Sequence, residues 1–323
     1  RLRSVAASSG ANIRDAVRPL LDQRTQLITQ MRAVSPDRAN LYGVENVDLK
    51  EIQTALPKGT LLVQGIPLRE DERVQLLLVT SKSAQVLRTD ATLEDFEDTL
   101  EDLTDAIALG EANSQREAAQ SLDDILGVSK WPASEQVLIV PTGPMFFVPW
   151  GALSLDVPVS VLPNAGWIKR TADVDWKIDK AVVLGDPDFG GAMPQLPGAG
   201  REASAVASLY GVNLITDRAA TELATRQAVG NGVDILHLAT HGKFEASYPL
   251  RSAIFLANDA GPAQPLTAEE LFKSPLPARL VVLSACETGI GKAEAGDDFL
   301  GLARSFNLGG AVAVLNSLWP VND

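Results

Sequence analysis

The chain has two histidines and one cysteine, and all three stand among small residues: His237 and His241 in HLATHG, and Cys286 in LSACETG, 45 positions beyond His241. A thiol with an ordinary pKa of about 8.5 is mostly protonated at neutral pH, and an imidazole beside it lowers that value and returns a proton to a departing amine. Gly242 and Gly289 would let a substrate backbone approach, and the amides of Gly242 and Cys286 are candidate donors to an oxyanion. The plainer reading is that Cys286 is small buried filler at a strand end. His237 shares a strand face with His241 only if the strand stays regular to its end. It reads as a satisfied core histidine, or as one whose ring orients the loop.

Other chemistries compete for the same stretches and fit them less well. CETGIGKA approaches the phosphate cradle G-x-x-x-x-G-K-[ST], but Cys286 replaces the first glycine and Ala293 replaces the hydroxyl that holds magnesium. GDPDFGGAMPQLPGAG is glycine-rich but broken by proline and lacks the G-x-G-x-x-G register, so a flexible loop is expected there. One cysteine and two histidines are too few for a structural zinc site of four ligands, and a single cysteine excludes an intramolecular disulfide. No metal and no cofactor is expected.

The elements that must position these residues follow from the pattern. KAVVLGD, VNLIT and VDILHLAT read as strands, separated by the helices GREASAVASLYG and DRAATELATRQAVG, which stop at Gly211 and Gly230. After an insertion carrying AIFLAND, Thr267 and Glu270 offer a capping box for the helix TAEELFKS. Then come the strand ARLVVLSA, the helix GDDFLGLARSFNLGG and the strand AVAVLNSLW. Continuous apolar strands alternating with helices predict a parallel sheet, whose sites lie beyond the carboxyl ends of the strands. If the strands leading to His241 and Cys286 are neighbours, imidazole and thiol meet there.

Upstream the pattern is different. Residues 1–34 carry apolar residues at helical spacing, and from 44 to 110 short apolar runs precede the acidic helical stretch TLEDFEDTLEDLTDAIALG. A further helix, SQREAAQSLDDILG, leads into EQVLIVPTGPMFFVPWGAL, where PTGP between two apolar runs reads as a hairpin turn. With 323 residues, 46% apolar and 21% charged, the composition is that of a soluble globular chain. The 28 basic against 41 acidic residues disfavour nucleic acid and anionic membranes as partners. No apolar run reaches the roughly 18 to 20 residues of a membrane span, and a cytoplasmic location is expected. The chain opens at Arg1 and stops at Asp323 straight after an apolar run, so both ends read as cuts in a longer protein.

HLATHG, LSACETG and SLWPVND, preceded by GDPDFG and LPGAGREA, resemble the CHAT domain. This is a caspase-like module, often fused behind tetratricopeptide repeats in bacteria and related to separase. The resemblance runs over residues 44–323 and is tightest after Ala181. It implies an α/β fold: a caspase-like, mostly parallel sheet flanked by helices, with an N-terminal pseudo-peptidase α/β half. The expected organisation is a helical segment over 1–43, a pseudo-caspase-like subdomain over 44–175 and a catalytic subdomain over 176–323 lacking the family's C-terminal helices.

The same resemblance implies a cysteine endopeptidase with His241 as base and Cys286 as nucleophile, a pair needing no third member. Asp323 matches the acidic residue that binds the P1 side chain in separase-like relatives, so cleavage after Arg or Lys is expected. Asp186, with Asp188, is a second candidate for that pocket, against a turn role in GDPDFG. The expected partner is a protein or peptide substrate, with tetratricopeptide repeats or a partner protein for activation. The loop GIGKAEAGDD could gate the cleft or be self-cleaved at Lys292. The alternatives are a catalytically silent CHAT-type interaction or regulatory module, and a hydrolase or transferase using the same thiol on small acyl substrates.

Overall fold

The computed structural model describes residues 48–66, 73–171, 174–243, 245, 248–286 and 301–317, with isolated helical positions at Gln26 and Gln30, and only the backbone at Cys286. Apart from Gln26 and Gln30, the expected helical segment over 1–43 lies outside the described residues, as do Lys292 and Asp323. Two sheets organise the rest, built from residues 60–161 and 181–316.

Helix α1 (Leu49–Ala55) leads into the first sheet, whose strands are β1 (Thr60–Gly65), β2 (Arg73–Val79), β3 (Ala84–Thr92), β4 (Gln136–Val140) and β5 (Val159–Val161). Their order is β3-β2-β1-β4-β5. The first three pair antiparallel, whereas β4 is parallel to both β1 and β5. Helices α2 (Leu93–Leu109) and α3 (Ala112–Leu126) cover one face. Thr92 and Asp95 close a reciprocal capping box at the start of α2, and Gly110 and Gly127 end the two helices in left-handed conformation. Their buried stripes, Phe96, Leu100 and Leu103 with Leu122 and Leu126, pack on Leu61, Val63, Leu76 and Leu78.

The hairpin expected at PTGP is not formed. After β4 the chain makes short 3-10 turns over Gly143–Phe147 and Trp150–Ala152, and β5 returns parallel to β4. Pro144 and Pro149 each lack the N–H that a returning strand would donate, while Pro144 costs nothing in the first turn of a helix. The short helix α4 (Ile168–Thr171) follows β5. Just before it, Trp167 donates its indole N–H to the Val312 carbonyl at 3.1 Å, tying the first half to the second.

The second sheet alternates strand and helix as expected. In chain order it contains β6 (Ala181–Pro187), α5 (Pro197–Tyr210), β7 (Leu214–Asp217), α6 (Glu222–Val229) and β8 (Val233–Lys243). The chain continues with β9 (Ala253–Asn258), β10 (Gly261–Thr267), α7 (Ala268–Lys273), β11 (Ala278–Cys286), α8 (Gly301–Leu308) and β12 (Ala313–Asn316). The parallel strands lie in the order β7-β6-β8-β11-β12, and the antiparallel hairpin β9–β10 joins the end of β8. Two helix signals are realised as read: α5 ends on left-handed Gly211, and Thr267 with Glu270 forms the capping box of α7. Helix α6 is shorter than expected, because Thr221, not Asp217, caps it.

Chain order reverses beside β8, since β6 leads outward to β7 on one side while β8 leads to β11 and β12 on the other. Such a switch point leaves a crevice beyond the strand ends. Leu236, Leu238, Val281 and Leu283 fill the core on one sheet face. The opposite face, carrying Val183 and Ala239, is covered by the alanine stripe Ala199, Ala203 and Ala207 of α5. No helix among the described residues is long and apolar enough to cross a membrane.

Candidate active site

His241 lies within β8 and not after it, because the strand runs on to Lys243. Its register partner in β11 is Cys286, with Ala285 opposite Thr240 and Ser284 opposite Ala239. Neighbouring strands are about 4.8 Å apart, so the two backbone positions are adjacent at the carboxyl ends of both strands. Alternation places position 286 on the face that carries position 284, and His241 on the face that carries His237 and Ala239. That is the face beneath α5.

The His241 ring is held from the loop between β6 and α5. Its Nε2 lies 2.8 Å from the Pro194 carbonyl oxygen. A carbonyl can only accept, so Nε2 carries the proton and Nδ1 is the basic nitrogen of the neutral ring. The fully buried Phe189 ring packs against the imidazole with centroids 4.8 Å apart and planes inclined by 60°. The expected dyad without a third member thus has a backbone carbonyl fixing its tautomer, a partner that no side-chain motif reveals.

The glycine-rich stretch expected to be a flexible loop is cross-linked at many points. Asp186, in left-handed conformation at φ 45°, accepts at Oδ1 from the Leu196 amide at 2.8 Å and from Gln195 Nε2 at 3.1 Å. The Phe189 amide donates to Gln195 Oε1, and its carbonyl accepts from Ala263 of β10. Asp188 accepts from the Gly190 amide and from Arg218, and these bonds hold its carboxyl below the usual range. Asp186 and Asp188 thus both accept from the loop's own donors, the bonds to Asp186 reaching its Oδ1.

Gly242, the second candidate oxyanion donor, is a buried strand residue opposite Ile254 of β9. His237 is buried on the same face, four residues before His241 and with Ala239 between them. Its Nε2 is 3.0 Å from Glu202 Oε1 of α5, at a slant that falls short of an aligned hydrogen bond. Burial pushes the His237 pKa down, against the opposing pull of the Glu202 carboxylate. The other carboxylate oxygen of Glu202 accepts from Ser284 Oγ at 2.8 Å. No group of three or more metal-ligating side chains occurs among the described residues.

A doubly wound α/β sheet with its histidine and cysteine strands paired next to a switch point defines the class of the fold. The chain belongs to the CHAT domain family, whose sequence model matches residues 116–323. That family is caspase-like and related to the cysteine peptidases. The chain is also similar to tetratricopeptide repeat protein 28 of Homo sapiens, at 24% identity over 243 residues, covering 58% of this chain. It spans only 10% of the length of that relative.

Proposed function

We propose that the chain is a cysteine endopeptidase in which His241 is the general base and Cys286 the nucleophile. The observation that carries this reading is the pairing of the two positions across β8 and β11, with the Nε2 proton of His241 committed to the Pro194 carbonyl. In the mechanism, Nδ1 takes the thiol proton and the sulfur attacks the scissile carbonyl carbon, forming a C–S bond. The amides of Gly242 and Cys286 hold the oxyanion. The imidazolium then gives its proton to the amide nitrogen as the C–N bond breaks, leaving a thioester on Cys286. Water, deprotonated by the same Nδ1, hydrolyses the thioester, and the thiol recovers its proton.

Asp323 is proposed to bind an Arg or Lys at P1, by its match to the separase-like motif. The kinship with a tetratricopeptide repeat protein supports a partner or repeat segment that presents the substrate. Incubation with fluorogenic peptides carrying Arg, Lys or Asp at the cleaved position tests the reading. Turnover of the basic peptides is expected, lowered about 10²- to 10⁴-fold by His241→Ala and abolished by Cys286→Ala. Turnover that survives both substitutions refutes the dyad. A folded protein that cleaves none of the peptides, nor itself at Lys292, refutes the endopeptidase and leaves a binding module.

A further inference from the structure

Helix α5 touches the candidate site twice. The loop that enters it places the Pro194 carbonyl on His241. One turn inside the sheet's covering layer, Glu202 reaches both strands that end in the dyad: Oε1 lies 3.0 Å from His237 Nε2 on β8, and Oε2 accepts from Ser284 Oγ on β11 at 2.8 Å. His237 precedes His241 by four residues, about 13 Å along the strand, and Ser284 precedes Cys286 by two, about 7 Å. We propose that Glu202 is a positioning residue for His241 and Cys286, its carboxylate tying α5 to β11 by the Ser284 hydrogen bond and standing against His237 of β8, below the dyad. This rests on the assignment of those two residues as base and nucleophile.

The need for a clamp at this level follows from the pairing. β6 supports β8 only as far as Ala239, opposite Gly185. Beyond it, Gly242 and Lys243 pair with β9 in the opposite sense. At His241 the strand therefore passes from one neighbour to another, and its pairing with β11 runs up to that residue, opposite Cys286. Glu202 engages β8 and β11 just below that exchange, before the strand is drawn toward β9. It also fixes α5, on which the Pro194 carbonyl depends. Loss of the clamp lets helix and strand tips shift separately, and sub-ångström errors in reacting groups are costly.

Electrostatics alone predicts the opposite outcome. Removing a nearby carboxylate favours a thiolate and lowers the thiol pKa, whereas loosening the imidazole–thiol pair raises it toward the value of about 8.5 for a free thiol. Because the chain has one cysteine, the rate of alkylation by iodoacetamide across a pH series reports on Cys286 alone. The proteins compared are wild type, His241→Ala, Glu202→Ala, Glu202→Gln and Ser284→Ala, each checked for folding by circular dichroism.

The apparent thiol pKa is expected to rise in Glu202→Ala by at least about half a unit, slowing alkylation at neutral pH about threefold. It should stay at or slightly below wild type in Glu202→Gln, whose amide can still accept from Ser284 and meet the other tautomer of His237. Ser284→Ala should fall between. With a cleaved peptide, Glu202→Ala should lower kcat while KM stays within about twofold. A Glu202→Ala profile superimposed on wild type overturns the clamp, as does a Glu202→Gln profile displaced as far as that of Glu202→Ala. If Glu202→Ala does not fold, Ser284→Ala decides, and a wild-type profile there overturns the clamp. An unchanged profile in His241→Ala instead removes the base assignment itself, which separates the two failures.

Discussion

Gly185→Ala is the sharpest test of how α5 sits on the sheet. A Cβ built on Gly185 of β6 falls 2.2 Å from the Cβ of Ala203 and 3.1 Å from the backbone oxygen of Ala199. Carbon atoms rest at about 3.5 to 4.0 Å, so the helix must retreat by more than about 1 Å. Neither atom belongs to a flexible side chain that could swing aside. Relieving a strand glycine would by itself stabilise the chain by about 0.5 to 1 kcal/mol. Overpacking of this kind costs about 1 to 3 kcal/mol, and we expect a net loss. Ala203→Gly removes the closer atom at a cost of about 1 kcal/mol for a glycine inside a helix. The double variant should therefore be more stable than the sum of the two singles by about 1 to 3 kcal/mol, read from urea midpoints. The helix retreat should also slow alkylation of Cys286 in the single variant and spare it in the double one. A Gly185→Ala protein as stable as wild type, or additivity of the pair, refutes the reasoning.

Burial depresses the His237 pKa, so folding excludes its proton. The stability this contributes is complete above the unfolded value of 6.5 and is lost as pH falls through the depressed folded value. Urea midpoints of wild type should fall as pH drops below about 6.5, and His237→Gln should flatten that decline, whereas parallel curves for the two proteins refute it. Phe189→Ala empties a fully buried position and should cost about 3 to 5 kcal/mol, measured by urea unfolding. Phe189→Leu should recover most of that stability and still lower turnover, because the ring face against His241 is gone; unaltered turnover in Phe189→Leu argues against a role for the contact.

The strands and helices of the second sheet are legible because their signals are local. Gly211 stops α5 through its own φ, Thr267 and Glu270 cap α7 across a single turn, and the apolar run before His241 is a strand by its continuity. The Thr267 box needs no knowledge of what α7 packs against. By contrast, PTGP looked like a hairpin because turn residues do not say which way the chain leaves. The parallel return of β5 depends on pairing with β4, a contact made beyond the turn. The candidate site divides in the same way. His241 and Cys286 are visible as rare residue types at strand ends. Pro194 acts through a carbonyl that every residue possesses, and Glu202 looks like any acidic residue on a helix until β8 and β11 are seen beneath it. Asp186 is a mixed case: an acid near a strand tip suggests a ligand for a basic side chain or a turn, and the bonds from Leu196 and Gln195 to its Oδ1 come from residues ten and nine positions further on.

The two arms of the proposed dyad are held by different parts of the chain. His241 depends on the connection from β6 to α5, which supplies Phe189 against its ring and the Pro194 carbonyl on its Nε2. Position 286 depends on β11, through its pairing with β8 and through Ser284 two residues before it. The Glu202 carboxylate lies between β8 and β11 below the pair, 3.0 Å from His237 Nε2 and accepting from Ser284 Oγ. A change in the β6–α5 loop should then act on the base alone and weaken proton transfer. A change in β11 should move the sulfur alone. A shift of α5, as expected in Gly185→Ala, should move both at once.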